Sequence, residues 1–198
     1  MPQTINELLA GRDVIGYYEP YAAANSFPAD NPWGTAPGGS WQDVGWTKDG
    51  LAVRWRQQIQ EYMVDQSLDP VVVLPLSRDL RFIANMGQID MPSLVVATSS
   101  GTSTGVSTSG ATGTGTADYL LTSTPANLYY SMFFDIRNPA TNDFAHWVGW
   151  RTRGIGDLDL HVHLPDLAQI NLEMRALPDT ATLVLGAARV AQLRMQLG

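Results

Sequence analysis

The feature that most constrains how this chain folds is an alternation of apolar and polar residues with a period of two. The alternation is regular along residues 51–56, where Trp55 is expected to face the core and Arg54 and Arg56 the solvent. It recurs less regularly along residues 76–83. Successive side chains of a β-strand point to opposite faces, so this period predicts strands with one face in water.

The chain between these two segments is predicted to turn and then to form a long loop. Gln57 and Gln58 are expected near a turn, with residues 59–64 as the returning strand. Pro70 and Pro75 follow, and proline cannot donate a hydrogen bond to a β-ladder. This part of the chain also has no Cys, no His and no nucleophile beside a base. It therefore predicts a protein that acts through its shape and through contacts with copies of itself.

The second half of the chain is dominated by predicted strands. Residues 127–136 are almost continuously apolar or aromatic, as expected of a strand buried on both faces. Further strands are predicted at 144–153, 157–164 and 170–177. Asp90 is expected to cap a short helix that has Pro92 in its first turn.

The fold class that follows is mainly β, a β-sandwich or barrel with a short flanking helix. The sequence divides into an N-terminal helix and extended arm (1–40), a β-sandwich domain (41–180) and a C-terminal arm (181–198). The alternative for the aromatic-rich first segment is a packed irregular loop, and a helix is the alternative for the apolar tail. Residues 97–117 contain only Ala, Gly, Ser, Thr and one Val, which predicts a flexible surface loop or one that orders against a neighbour.

Composition excludes several classes of function. The net charge of −7 argues against a surface that grips phosphate over the whole protein. Cysteine is absent, so neither disulfides nor thiolate metal sites can form. The N-terminus lacks a basic segment followed by an apolar run, so it is not expected to be a secretory signal. No apolar run approaches the roughly 20 residues that a membrane-spanning helix needs.

A metal site is the sharpest chemical hypothesis. His161 and His163 would lie on one face of a strand, with Asp157 or Asp159 as a third ligand for zinc or nickel. The alternative, which we favour, is the wet face of an amphipathic strand, because metal sites usually draw ligands from several elements. We therefore expect no metal and no cofactor.

Enzymatic function has little support, because the chain has no G-x-S-x-G, H-E-x-x-H or P-loop motif. A carbohydrate- or surface-binding β-sandwich is a third class, in which tryptophans act as stacking platforms. Those tryptophans are Trp33, Trp41, Trp46, Trp147 and Trp150. Four arginines alternate with acidic residues and are expected to form ion pairs between subunits: Arg54, Arg56, Arg78 and Arg81.

Residues 34–86 carry a resemblance to a known family. The segments GTAPGGSWQDVGWTKDGLAV, QIQEYMVDQSLDPV and SRDLRFIANM resemble the major tail proteins, or tail tube proteins, of long-tailed bacteriophages. FFDIRN and the segment from WRTRG to ALPD are similar to the closing strands of that family. The resemblance covers roughly residues 30–180 and depends on the order of the pieces.

The resemblance implies a structural virion protein and no enzyme. Subunits would form hexameric rings that stack into the tail tube, the channel for genome ejection into the host. The ring-stacking loop would comprise Asp65, Gln66, Ser67, Leu68, Asp69 and Pro70. Tube proteins of contractile tails and of secretion-like injection systems share the fold and remain an alternative.

The expected partners are other copies of the chain and other tail proteins, namely the tape measure, terminator and distal tail proteins. Double-stranded DNA would pass without specific binding, and no membrane is involved. The expected location is the tail tube of the virion, assembled in the host cytoplasm.

Overall fold

The computed structural model describes most of the chain. The described ranges are 13–22, 26–28, 35–62, 72–87, 91–99, 102–103, 107–108, 115–116, 119–120, 128–137, 144–156, 170–184 and 187–195. The longer strands are β1 (Asp13–Pro20), β2 (Gln42–Tyr62), β3 (Val72–Met86), β8 (Tyr130–Arg137), β9 (Phe144–Gly154), β10 (Ile170–Ala176), β11 (Asp179–Val184) and β13 (Ala191–Met195). The short strands are β4 (Thr102–Ser103), β5 (Ser107–Thr108), β6 (Gly115–Thr116), β7 (Tyr119–Leu120) and β12 (Ala187–Arg189), and the helix α1 is Met91–Thr98.

Six antiparallel strands close into a barrel in the order β10-β3-β2-β1-β8-β9, with β9 pairing back to β10. The closing contact is short and joins Met174, Arg175 and Ala176 to Gly154, Arg153 and Thr152. The other end of β9 pairs with β13 instead. Of the two architectures that the sequence allowed, the structure is the barrel, and the fold is mainly β with one short helix as predicted.

The interior of the barrel is filled by side chains. Phe82, Met86, Phe134 and Leu172 are among the residues of one buried apolar cluster that draws on all six strands and the helix. Along β10, Ile170, Leu172, Met174 and Ala176 point inward and alternate with more exposed residues, as the sequence predicted. A six-stranded barrel filled in this way encloses no channel of its own.

A second apolar cluster lies on the outer face of β1, β8 and β9. It contains Ile15, Tyr17, Phe133, Val148 and Trp150, and it is covered by Phe27 and Trp41. β8 therefore packs apolar side chains on both faces, and seven of its eight residues are buried. This confirms the prediction for residues 127–136 over the strand itself.

Helix α1 spans one end of the barrel. Ser93 Oγ donates a hydrogen bond to the carbonyl of Val44 in β2, and the amide of Gly154 in β9 donates to Ser99 Oγ at 2.6 Å. β2 and β9 are three positions apart in the six-stranded barrel and so lie on opposite sides of it. The predicted short helix is confirmed, and it adds Leu94 and Val96 to the interior cluster.

Two details of the β2–β3 hairpin differ from the sequence prediction. β2 runs without a turn through Gln57 and Gln58, because this dipeptide supplies no residue that favours the backbone of a tight turn. The ladder instead shifts register between Gln58 and Ile59, opposite the chain around Pro75. Proline has no N–H to donate to the ladder, and it is tolerated at an irregularity of this kind. β3 can therefore begin at Val72 and continue through Pro75.

The two termini also differ from the predicted arms. β1 is paired on both edges, with β2 and with β8, and is part of the barrel. Tyr17 and Tyr18 are buried in it, so aromatic residues there serve the core of this chain. The described part of the tail forms β12 and β13 and no helix, because β9 offers β13 an open edge. The predicted helix before residue 13 lies outside the described residues.

Beyond the end of α1, the described residues within 97–117 form β4, β5 and β6; β4 pairs antiparallel with β7 and β5 with β6. These pairs are nested, as in a single hairpin. The threonine content, which favours strands, is the sequence signal for this pairing.

Gly154 is a position where a side chain cannot be accommodated, because a Cβ there would overlap the backbone carbonyl of Ala97 at the end of α1. We expect Gly154→Ala to lower the free energy of unfolding by about 1–3 kcal/mol, in the range of overpacked sites. Denaturant unfolding would measure the change. Gly38→Ala is the matched control, since its Cβ would meet nothing within 4 Å; an equal effect in both variants would contradict this packing.

Asp179 links the β11–β12 pair to Tyr21, the residue that follows β1. It is fully buried, and it accepts hydrogen bonds from Arg189 Nε, from the Tyr21 hydroxyl at 2.7 Å and from the amide of Ala181. Burial by itself raises the pKa of this carboxyl. The bonds from Arg189, Tyr21 and Ala181 together outweigh burial and hold the pKa below its usual 3.8.

We expect Asp179→Asn to destabilise the protein by about 1.5–3 kcal/mol at neutral pH, the contribution of hydrogen bonds to a charged group. A carboxyl with a lowered folded-state pKa stabilises the fold above its unfolded pKa and loses that effect as pH falls through the folded value. The difference between wild type and variant should therefore shrink below about pH 3.8. Urea titrations at a series of pH values measure it, and a difference independent of pH would contradict this role.

Candidate assembly surface

The β2–β3 hairpin extends beyond the barrel. β1 pairs with β2 from Gln42 to Trp46, and β10 pairs with β3 from Leu80 to Met86. Past Trp55, β2 and β3 pair only with each other among the described residues. The seven residues beyond Trp55, from Arg56 to Tyr62, correspond to about 23 Å of strand. Within the part of the chain that the structure describes, the hairpin therefore presents two open backbone edges, which natural sheets usually cover or pair.

Large apolar side chains are exposed on this projection. Trp55 is 53% exposed and Leu76 is 62% exposed, and Ile59, Tyr62 and Leu74 are each close to half exposed. The sequence expectation that Trp55 belongs to the core was wrong. Trp55 is on the inward face of β2, but β2 projects beyond the barrel from this residue on, so the side chain is not covered. Clustered exposed apolar groups of this kind mark an interaction surface.

Arginines form a row across the outer face of four neighbouring strands. Arg54 is directly opposite Arg81, Arg81 is opposite Arg175, and Arg175 is opposite Arg153. Residues opposite each other in antiparallel strands share a face, so the four side chains lie in a line about 14 Å long. Like charges directly opposite one another are destabilising.

Two carboxylates partly offset this repulsion. Asp79 lies 2.7 Å from Arg81 Nε, and Glu173 lies 2.8 Å from a terminal nitrogen of Arg81. Hydrogen bonds to Glu173 and Asp79 raise the pKa of Arg81 above its usual value. Arg175 Nε is 2.8 Å from Asp79 Oδ1, but without hydrogen-bond alignment, so the contact is electrostatic.

Arg81 was predicted to pair with a neighbouring subunit, and in the structure its partners lie in its own chain. Arg54 and Arg56 are exposed on the same face, and Arg78 is exposed on the opposite face of the hairpin. No ion pair joins these three arginines to another described residue. They remain candidates for contacts with another copy.

A shallow cavity of about 410 Å³ lies at one end of the arginine row. Its lining residues are Tyr129, Arg153, Gly154, Ile155, Arg175 and Leu177. Two guanidinium groups and three apolar side chains suit an acidic group attached to an apolar stem. The sequence did not reveal this cavity, since its residues come from three separate parts of the chain.

The histidine of the described chain lies beside a carboxylate in a buried cluster. His146 Nε2 lies 3.0 Å from Asp135 Oδ1, and Arg137 Nε lies 3.3 Å from the same carboxylate. Burial first, and then the charges of Asp43 and Asp135, raise the pKa of the nearby Tyr17 to about 12. His146 is 1% exposed and stacks on Phe144 at 4.3 Å. A substrate cannot reach it, so this cluster acts as a structural element beneath Phe27.

Several predicted site residues fall outside the described residues. They include the ring-stacking loop, Asp65, Gln66, Ser67, Leu68, Asp69 and Pro70, and the metal candidates His161 and His163. Within the described ranges, no three His, Asp or Glu side chains are close enough together to bind a metal ion.

The tryptophans do not form a stacking platform in the described structure. Trp150 is buried beneath Arg189, whose guanidinium lies 3.8 Å from the ring centroid. Trp41 and Trp147 pack against the outer and inner clusters, respectively. Trp46 is about half exposed, and Trp33 lies outside the described residues. This arrangement does not favour carbohydrate binding.

Comparison with known proteins gives no family for this chain. No protein-family model matches it, and no curated protein matches it significantly. No helix of the described chain is both long enough and apolar enough to cross a membrane.

We expect replacement of the exposed pair, Trp55→Ser with Ile59→Ser, to leave monomer stability within about 1 kcal/mol of wild type, as for most surface changes. The same double variant should associate less than wild type. Phe82→Ala, in the fully buried core, is the contrast and should cost about 3–5 kcal/mol. Thermal unfolding and light scattering measure the two effects. A loss of stability comparable to that of Phe82→Ala would show that the hairpin is packed and not exposed.

Proposed function

We propose that this chain is a structural protein that assembles into the tail tube of a long-tailed bacteriophage, as stacked hexameric rings that guide the genome into the host. The observation that carries the proposal is the β2–β3 hairpin. It projects from a closed, filled barrel with large apolar side chains exposed and with both backbone edges unpaired by any other described strand. An isolated monomer with such a hairpin would be prone to uncontrolled association.

Regular assembly resolves this exposure. A copy that binds the hairpin of its neighbour covers open edges and apolar groups in every subunit except those at the two ends. When such a contact joins different patches of two copies, it closes into a ring or extends into a filament. Since the barrel of one chain is filled, a channel wide enough for DNA requires the space between several copies.

Charge supports the same function. Six copies of a chain of net charge −7 would carry −42 per ring. A negative channel wall repels phosphate, which would let DNA slide without adhering. This requires that the arginine row be covered by neighbouring copies and not line the channel. A net positive wall in an assembled tube would refute the sliding hypothesis.

We expect rings or tubes when the purified chain is concentrated and viewed by negative-stain electron microscopy. Asp65→Ala combined with Asp69→Ala should shorten the tubes or lower their yield, if the loop that contains these residues joins one ring to the next. Asp49→Ala is the matched control, an exposed acid that bonds to Asn85 within its own chain.

Two results would contradict these expectations. A chain that stays monomeric or forms only small oligomers at high concentration would exclude the tube function. Unchanged tube length and yield in the double variant would exclude the loop from ring stacking and leave the tube function standing.

A further inference from the structure

The far end of the β2–β3 hairpin is acidic and apolar. Residues 57–77 contain three carboxylates and no Lys, Arg or His. Among them, Glu61 is exposed on β2, and it lies between the exposed Ile59 and Tyr62, with Leu74 nearby on β3. Ile59 shares the face of Glu61, whereas Tyr62 and Leu74, which is the partner of Gln60, lie on the other face. The hairpin thus ends in a negative charge with an exposed apolar neighbour, Ile59, on the same face.

The cavity beside the arginine row has the opposite character. Arg153 and Arg175 are direct cross-strand partners and both line it. Arg175 has a side chain that is 47% exposed, so its guanidinium can make further contacts besides the one with Asp79. Guanidinium groups bind carboxylates through short, charge-assisted hydrogen bonds. Ile155, which is 40% exposed, and Leu177 supply apolar wall.

A single copy cannot bring these two features together. Arg54 lies in the same cross-strand row as Arg175, whereas Glu61 is seven residues further along β2, which is about 23 Å. The hairpin is held by a ladder that continues to Tyr62. A carboxylate that occupies the cavity must therefore come from another molecule.

We propose that the cavity between Arg153 and Arg175 binds the Glu61 carboxylate at the hairpin end of a second copy of this chain, with Ile59, which shares the face of Glu61, against Ile155 and Leu177. This rests on the proposed function, because it requires copies to associate. It adds to that function a named acceptor on the outer wall of the barrel. Since the donor and the acceptor lie at different places on each copy, the contact repeats head to tail.

The alternative anion for this cavity is a nucleic-acid phosphate. Charge balance favours the hairpin end of a second copy. The basic residues of the row are local to one face, and the chain as a whole carries 19 acidic residues against 12 Lys and Arg. A long polyanion would meet that excess over most of the surface, whereas a hairpin end meets only the cavity and the row.

The absence of cysteine gives a clean test by disulfide trapping. Full-length Glu61→Cys and Ile155→Cys variants are mixed at equal concentrations and oxidised, and cross-linked peptides are identified by mass spectrometry. We expect a mixed cross-link between positions 61 and 155. Lys48→Cys, at an exposed position at the other end of β2 from Glu61, replaces Ile155→Cys in the control and should cross-link at least tenfold less. Equal yields from both mixtures would overturn the proposal.

A charge exchange gives an independent test. Glu61→Arg and Arg175→Glu should each raise the concentration required for assembly by at least about tenfold, as for loss of one partner of an interfacial ion pair. Mixing the two variants should restore assembly, since each then meets an opposite charge. Arg153→Glu replaces Arg175→Glu if the latter unfolds beside Asp79, as judged by thermal unfolding.

The outcomes separate the two proposals. Tubes from wild type, without the mixed cross-link and without restoration, would overturn the acceptor site and leave the tube function standing. Failure of wild type to associate at any concentration would overturn both. If a short double-stranded DNA of random sequence binds wild type and not Arg175→Glu, and no cross-link forms, the cavity is a phosphate site and the proposal is wrong.

Discussion

The structure depends on the pairing of β9 with β10, the three residue pairs that turn an open sheet into a closed barrel. Without this pairing, β9 and β10 would be edges, and the interior cluster would be open along one side. Closure satisfies the backbone groups of both strands and fixes which side chains point inward. It also sets Arg153 opposite Arg175, which completes the arginine row and shapes the cavity beside it.

Unequal strand lengths produce the projecting β2–β3 hairpin, the second defining property of the structure. β2 has 21 residues and β3 has 15, whereas their outer neighbours β1 and β10 have eight and seven. A barrel can pair only as much of a long strand as its neighbours cover. The excess becomes a two-stranded projection with open edges and exposed apolar groups. The mismatch in length thus leaves one part of the β2–β3 pair without neighbouring strands among the described residues.

Local patterns in the sequence predicted much of the fold. The strict alternation at Ile170–Ala176 and the continuous apolar run before Arg137 predicted the strands that the structure contains. The signals at Asp90 and Pro92 predicted the helix. Such patterns succeed because side-chain periodicity is a property of the backbone of each element and needs no knowledge of the rest of the chain.

The candidate site was predicted only in part. Arg54, Arg56, Arg78 and Arg81 were identified as interaction residues from their alternation with acids. Arg153 and Arg175 were missed, because they join the same row only through the register of β9, β10 and β3. Asp135 and His146 were missed for the same reason, since they lie opposite each other only through the register of β8 and β9. Trp55 was misassigned because alternation gives the face of a strand and not how far its neighbours extend.

The sequence by itself determined the β class, the helix, the acidic balance and the absence of cysteine, since these follow from composition and from patterns within a few residues. The tertiary structure alone decided that the sheet closes, that the first strand belongs to the barrel, and that arginines from four strands form one row. It also decided that the hairpin projects. The physical reason is that strand register and strand coverage are set by hydrogen bonds between residues distant in sequence, and no local pattern records which strand will lie beside which.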